Sequence, residues 1–215
     1  MPGTRLIRIL CLHGFRGSGA QLRAQLRGLT QDIESEHELE LVCPDAPSLP
    51  DGRLAWWNAV PSDAGGNAKH YQGFSDSRAA IQEHFRNSGP FDGIFGFSQG
   101  AALAGLLVGL RAGPDIEASE YPLEFGFAIL VGGFVSNDPT HAATYAARAS
   151  YALPSLHFIG RADRIVPAEA SRELAARFEK PCIAEHDGGH LIPSAPEARS
   201  ALRSFLSAAT PQHEG

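Results

Sequence analysis

The fold is decided by residues 92–105, which read DGIFGFSQGAALAG. A short apolar run comes first, the pentapeptide Gly-x-Ser-x-Gly follows at 96–100, and a stretch of small and apolar residues begins at Ala101. A strand, a sharp turn and a buried helix in this order hold a serine hydroxyl above a sheet, and the two glycines let strand and helix approach. The pentapeptide alone arises by chance in glycine-rich chains, whereas its place between a strand and a helix indicates that Ser98 is a nucleophile.

Apolar runs and helix-like segments alternate on both sides of this turn. Runs with the length of buried strands occupy 6–12, 39–43, 93–97, 125–131, 156–159 and 181–184. Helical spacing of apolar residues is found in 18–29, 75–85, 101–110, 168–178 and 196–206. The alternation predicts an α/β fold with a mostly parallel central sheet and helices on both faces.

A serine nucleophile needs a base within hydrogen-bond reach, and the base needs a carboxylate to orient it. In the α/β-hydrolase fold these residues follow the nucleophile in the order acid, then histidine. Asp163 comes directly after the run 156–159, at the sheet edge where the active sites of open α/β sheets lie. His190 ends a Gly-Gly-His turn after the last strand. We therefore predict a catalytic triad of Ser98, Asp163 and His190.

Three other residues compete for these roles. Asp187 precedes His190 by three positions, which is too near in sequence to support the ring from a separate strand end. His186 lies closer to the strand end, and His157 lies within a strand pattern, so both are expected to be structural.

An oxyanion hole requires two preorganised backbone N–H donors. The residue after the nucleophile, Gln99, is expected to provide one of them. The second is expected from the loop after the first strand, with Phe15 as the first choice and Arg16 as the second. His13, in the same loop, is expected to stabilise it through a hydrogen bond.

Residues 44–73 are predicted to form a long active-site loop. The stretch is rich in Pro, Gly, Asp and Ser and carries both tryptophans, Trp56 and Trp57. We expect it to wall an apolar acyl pocket, although at least one tryptophan is expected in the core. Phe134 and Leu191, after the fourth strand and after the base, are further candidates for the lining.

Length, charge and motif content limit the domain number and the other functions that the chain could have. The length of 215 residues indicates one domain over 1–215, with a core over about 5–208 and a frayed tail from Ala209. The net charge of -6 argues against a nucleic-acid partner. No zinc, Walker or dinucleotide motif occurs, so neither a metal nor another cofactor is expected.

The cysteines and the N-terminal residues indicate the compartment in which the protein is expected. The three cysteines lie in or beside apolar runs and are expected to be buried free thiols, which fits a reducing compartment. The apolar run after Arg5 is too short for a signal peptide or a membrane span. A cytoplasmic protein is expected, and both a monomer and a homodimer remain open.

The chain resembles the FSH family of serine hydrolases from about Ile7 to Leu206. The resemblance rests on LCLHGF at 10–15, the Trp pair, GPFDGIFGFSQGA at 89–101, LHFIG at 156–160 and the Gly-Gly-His turn. It implies the same triad, a compact α/β-hydrolase core with no large cap domain, and esterase or thioesterase activity. Where relatives often carry a polar pair after His-Gly-Phe, this chain has Arg16, which we hypothesise binds an anionic group of the substrate.

These observations predict hydrolysis of a carboxylic ester or thioester of a medium to long acyl chain through an acyl-enzyme. The first alternative is a thioesterase that releases an acyl or polyketide chain from a biosynthetic carrier protein. The second is a non-catalytic binding module on a hydrolase scaffold, which the complete triad disfavours.

Overall fold

The computed structural model describes residues 6–33, 38–111, 123–146 and 150–210. Its main sheet has six strands: β1 (Leu6–Leu12), β2 (Glu38–Val42), β5 (Gly93–Phe97), β6 (Phe127–Val131), β7 (Ser155–Gly160) and β8 (Cys182–His186). All neighbouring strands are parallel, in the order β2-β1-β5-β6-β7-β8. Carboxyl ends of parallel strands meet at one edge, so the loops after β1, β5, β6, β7 and β8 converge there.

Helices cover both faces of the sheet: α1 (Gly19–Thr30), α2 (Phe74–Ser88), α3 (Gln99–Arg111), α4 (Ala142–Ala146), α5 (Ala168–Ala175) and α6 (Pro196–Ala209). Helices α1 and α6 bury their leucine stripes on one face, against alternate side chains of β1 such as Ile9 and Cys11. Helices α3 and α5 pack on the other face, where Leu10 and Leu12 of β1 point. The predicted class and the helices on both faces are confirmed.

Helix α3 is buried on nearly every side, as its sequence of small and apolar residues predicts. It packs against β5 and β6 and begins at the residue after Ser98. A fully buried helix that begins directly after Ser98 fixes the turn that carries this residue.

Residues 44–73, predicted as a loop, contain a two-stranded antiparallel hairpin, β3 (Asn58–Pro61) and β4 (Lys69–Gln72). The hairpin is held by Tyr71, which is buried and stacks on Trp57 with ring centroids 4.5 Å apart. Strands of four residues with polar members give no apolar run, and the burial of Tyr71 depends on a contact that the local sequence does not show.

The tail and the cysteines also differ from expectation. Helix α6 includes Ala209, and the buried Thr210 donates its hydroxyl to the Leu206 carbonyl at 2.7 Å, while residues 211–215 lie outside the described residues. Cys11 is buried, but Cys43 is only partly buried and Cys182 is exposed because β8 is the edge strand of the sheet. Within the described ranges, no helix has both the length and the apolarity that crossing a membrane requires.

Candidate active site

The turn between β5 and α3 holds Ser98 in a left-handed backbone conformation, with φ of 55°. The Ser98 N–H donates to the Val131 carbonyl of the neighbouring strand at 2.9 Å, and the Ser98 carbonyl accepts the first bonds of α3. A Cβ on Gly100 would lie 2.1 Å from the Leu12 carbonyl oxygen, so only glycine fits where α3 meets β1. This strained turn presents the hydroxyl at the carboxyl edge of the sheet.

The structure brings the three predicted triad residues together. His190 Nε2 lies 2.8 Å from Ser98 Oγ, and His190 Nδ1 lies 2.6 Å from Asp163 Oδ2. Since an ionised carboxylate only accepts hydrogen bonds, Nδ1 carries the proton and Nε2 is left to accept the Ser98 proton. The imidazole is therefore in the tautomer that a general base requires.

Asp163 is held as a carboxylate by its surroundings. Burial by itself would raise the pKa of Asp163, but the hydrogen bond from His190 and the amides of Val166 and Ile165 outweigh it and lower the pKa. Both amides donate to Oδ1 at 2.9 Å, while Oδ2 faces His190. The turn after β7 thus fixes the acid and keeps its charge next to the base.

The loop after β1 lies directly against the nucleophile. A Cβ on Gly14 would lie 3.3 Å from Ser98 Cβ, so the loop that carries the Phe15 amide packs against Ser98. The Arg16 N–H is occupied, because it donates to the Leu54 carbonyl at 3.0 Å. No hydrogen bond among the described residues uses the Phe15 amide, and the Gln99 amide at the start of α3 has no partner within its helix. Phe15 and Gln99 remain the two candidate oxyanion donors.

His13 braces this loop. Its Nε2 accepts the Ala46 N–H at 2.9 Å, so its Nδ1 carries the proton and donates to the Gly14 carbonyl at 2.7 Å. Desolvation lowers the pKa of His13, which keeps the ring neutral as both hydrogen bonds require. The His13 carbonyl accepts the indole N–H of Trp56 at 2.8 Å. Ala46 and Trp56 therefore support the loop after β1 through His13.

A cleft of about 520 Å³ opens beside Ser98. Its wall is mainly apolar and includes Phe15, Trp57, Phe134, Val135, Ile165 and Val166. Ile165 is 72% exposed and Phe15 is 42% exposed, so two large apolar side chains stand at the mouth. Polar residues also line the cleft, among them Asn58 and Lys69 of the hairpin, Asn137 and Glu173.

Two of the five residues predicted to bind substrate line the cleft, and three lie elsewhere. Trp57 and Phe134 line it, as predicted. Trp56 is buried behind the oxyanion loop, and Arg16 stacks over the Phe15 ring at 4.9 Å instead of lining the cleft. Leu191 lies in a separate groove beside His186 and Asp187.

The Gln99 side chain has a role that the sequence reading missed. Its Oε1 accepts the Trp56 N–H at 3.0 Å, and its Nε2 donates to the Trp57 carbonyl at 2.9 Å. A buried side-chain amide needs partners for both its oxygen and its nitrogen, and the backbone of the Trp56–Trp57 pair supplies both. One residue therefore links the nucleophile turn to the tryptophan that walls the cleft.

The residues considered as rivals of the triad are engaged elsewhere. His157 is buried and lies 3.0 Å from Ser155 Oγ, and Asp187 pairs with Arg161 at 2.7 Å. His186 lies in the groove beside Leu191. In the part of the chain that the structure describes, no cluster of three or more His, Cys, Asp or Glu residues is arranged to hold a metal ion.

Comparison with known proteins gives concordant matches over nearly the whole chain. The family model "Serine hydrolase (FSH1)" matches residues 3–202. Esterase OVCA2 of Xenopus tropicalis is 37% identical over 95% of this chain and 95% of its own length. The human Esterase OVCA2 is 33% identical, over 96% of this chain and 98% of its own length.

Solved structures match the fold as well. The crystal structure of Zea mays acyl-protein thioesterase 2 aligns with a TM-score of 0.68 and covers 97% of this chain and 95% of that protein. The sequences are 21% identical, so this match concerns the α/β-hydrolase fold alone.

Proposed function

The chain belongs to the FSH1 family of serine hydrolases, and we propose that it hydrolyses carboxylic esters or thioesters of medium to long acyl chains. The observation that carries the proposal is the unbroken hydrogen-bond chain from Asp163 through His190 to Ser98 Oγ. Relatives support the proposal as well, because the similar Xenopus and human proteins are named esterases.

In the proposed reaction Ser98 Oγ attacks the acyl carbonyl while His190 Nε2 accepts the hydroxyl proton. Asp163, ionised and hydrogen-bonded to Nδ1, stabilises the imidazolium that forms. The carbonyl oxygen takes up negative charge beside the amides of Phe15 and Gln99. His190 then protonates the leaving alcohol or thiol, which leaves the acyl group on Ser98, and water releases the acid by the reverse sequence of proton transfers.

The cleft supports an acyl group of some length as the substrate. Ligand sites are typically apolar concavities of about 300–1,000 Å³ with a few polar groups, and the cleft of about 520 Å³ falls within this range. Trp57 and Phe134 supply wide apolar surfaces close to the nucleophile, and Phe15 and Ile165 extend the apolar surface to the mouth. Burial of each methylene contributes about 0.8 kcal/mol, so kcat/KM should rise with chain length until the cleft is full.

The test is hydrolysis of 4-nitrophenyl esters from acetate to laurate, and of matched thioesters, by wild type and Ser98→Ala. We expect wild type to turn over the series with an optimum above butyrate, and Ser98→Ala to lose on the order of a thousandfold or more in kcat. Equal activity of the two proteins would show that Ser98 is not the nucleophile. A flat dependence on chain length would contradict the apolar acyl cleft while leaving the triad in place.

A further inference from the structure

The cleft wall contains one cationic side chain among the described residues, that of Lys69. The whole chain has two lysines, and the second, Lys180, is far along the sequence and outside this cleft. Lys69 is the first residue of β4, in which Lys69 and Tyr71 are the more buried members and His70 and Gln72 are exposed. Because side chains alternate along a strand, Lys69 and Tyr71 face the same side, toward the cleft.

A chain of contacts connects the turn at Ser98 with β4, the strand that begins at Lys69. The Gln99 side chain bonds to the Trp57 carbonyl, and the Trp57 ring stacks on Tyr71. Lys69 follows two residues away on the same face of β4, which places its Cα about 7 Å beyond that of Tyr71. Because Lys69 pairs with Pro61 and Tyr71 pairs with Ala59, Lys69 lies at the end of the hairpin ladder that is farther from Trp57.

No protein carboxylate neutralises this ammonium group within the described residues. None of their ion pairs includes Lys69, whose backbone N–H is bonded to the Asn137 carbonyl at 2.9 Å. The nearby Asp138 carboxylate is engaged by the Tyr71 and Thr140 amides and faces His70. Glu173 lines the cleft from α5, but its side chain is exposed and forms no ion pair with Lys69. A half-buried cation without a protein partner is a site for an anion of the ligand.

We propose that Lys69 is a specificity-determining residue that binds an anionic group, a carboxylate, carried by the substrate at a position away from the scissile carbonyl. The inference rests on the proposed esterase function. It moves the anion site that the sequence placed at Arg16 to Lys69, since Arg16 stacks on Phe15 and does not line the cleft. The carboxylate belongs either to the far end of the acyl chain, as in a dicarboxylic half-ester, or to the leaving group.

The experiment measures a selectivity ratio, kcat/KM for an anionic ester over kcat/KM for its neutral methyl-capped analogue. One pair carries the carboxylate on the acyl chain, as the mono-nitrophenyl ester of a dicarboxylic acid. The other pair carries it on the leaving group, as an acyl ester of hydroxyphenylacetate. The proteins are wild type, Lys69→Met, Lys69→Arg and, as a matched control, Lys180→Met.

We expect wild type to favour the anionic member of one pair, and the pair that responds identifies which side of the substrate meets Lys69. Lys69→Met should lower that ratio by about tenfold to a hundredfold, the range for a lost hydrogen bond to a charged group. Lys69→Arg should restore most of the ratio, and Lys180→Met should keep the wild-type value. Glu173→Gln should raise the ratio, because it removes a carboxylate from the lining of the same cleft.

A ratio near one in wild type for both pairs, with neutral esters still cleaved, would overturn the role of Lys69 and leave the esterase function standing. An equal loss on anionic and neutral esters in Lys69→Met would show a structural role and overturn the proposal as well. Absence of turnover of every ester, together with failure of a fluorophosphonate to label Ser98, would overturn the esterase function itself and this inference with it.

Discussion

Replacing Gly132 by alanine should displace the His190 ring while all three residues of the proposed triad are kept. Gly132 follows β6 and has φ of 56°, in the left-handed region. A Cβ at this position would lie 3.1 Å from His190 Cε1, 3.2 Å from His190 Nδ1 and 3.5 Å from Asp163 Oδ2. Ordinary carbon contacts are about 3.5–4.0 Å, so the ring must move by a few tenths of an ångström.

The expected loss has two parts that separate experimentally. Alanine in a left-handed conformation is less stable than glycine by roughly 1–2 kcal/mol, which for a domain of this size lowers the Tm by about 2–8 °C. The displaced ring also weakens the 2.8 Å contact between His190 Nε2 and Ser98 Oγ. Because Phe97 packs on the same ring at 4.9 Å, the imidazole has little room to adjust. Misplacement of about an ångström can cost a hundredfold in rate, so a loss of about tenfold to a hundredfold in kcat is expected.

Gly65→Ala is the matched control. Gly65 has φ of 75°, and no atom lies within 4 Å of the Cβ that alanine would add there. Both variants should lose comparable stability in thermal unfolding, whereas only Gly132→Ala should lose turnover of a nitrophenyl ester, in kcat more than in KM. Equal kcat in the two variants would refute the claim that Gly132 is small in order to admit the His190 ring.

Three further perturbations have defined outcomes. Asp163→Asn should lower kcat by on the order of a thousandfold or more, because an amide can donate to Nδ1 and leave the proton on Nε2; an activity within tenfold of wild type in steady-state assays would argue against the carboxylate's role. Gln99→Met should lower the free energy of unfolding, measured in urea, by about 2–6 kcal/mol, because the buried backbone N–H of Trp56 and carbonyl of Trp57 lose their partners. Gln25→Met, on the exposed face of α1, is the control and should change the free energy of unfolding little. Burial lowers the pKa of His157 to about 4; since the folded pKa is below the unfolded value of about 6.5, its contribution to stability is complete above pH 6.5 and is lost as the pH falls toward 4. His157→Leu should therefore reduce the slope of unfolding free energy against pH in that window by up to about 1.4 kcal/mol per unit, and an unchanged slope would contradict the assignment.

The sheet and the triad were predictable because both follow from local patterns. Strands buried on both faces give continuous apolar runs, and the run 6–12 coincides with β1 (Leu6–Leu12). The triad could be placed because parallel strands bring their carboxyl ends to one edge, so that Asp163 after β7 and His190 after β8 reach the turn after β5. Neither step requires knowledge of how loops pack.

The cleft wall was less predictable because it is assembled from several loops. Ile165 and Val166 line the cleft and Leu191 lies in a separate groove, although each is within three residues of Asp163 or His190 in sequence. Tyr71 gains its place from stacking on Trp57, a contact between segments that no periodicity records. The support that Gln99 gives to both tryptophans likewise depends on the fold of the loop, not on its composition.

Covalent labelling distinguishes a Ser98 hydroxyl that His190 activates from an ordinary serine hydroxyl. Wild type, Ser98→Ala and His190→Ala would be incubated with a fluorophosphonate, and the adduct would be located by intact mass and peptide mapping. We expect one adduct on wild type, located on Ser98, none on Ser98→Ala, and labelling slowed by on the order of a thousandfold in His190→Ala. An adduct on another residue, or equal labelling rates in wild type and His190→Ala, would contradict the activation of Ser98 by His190.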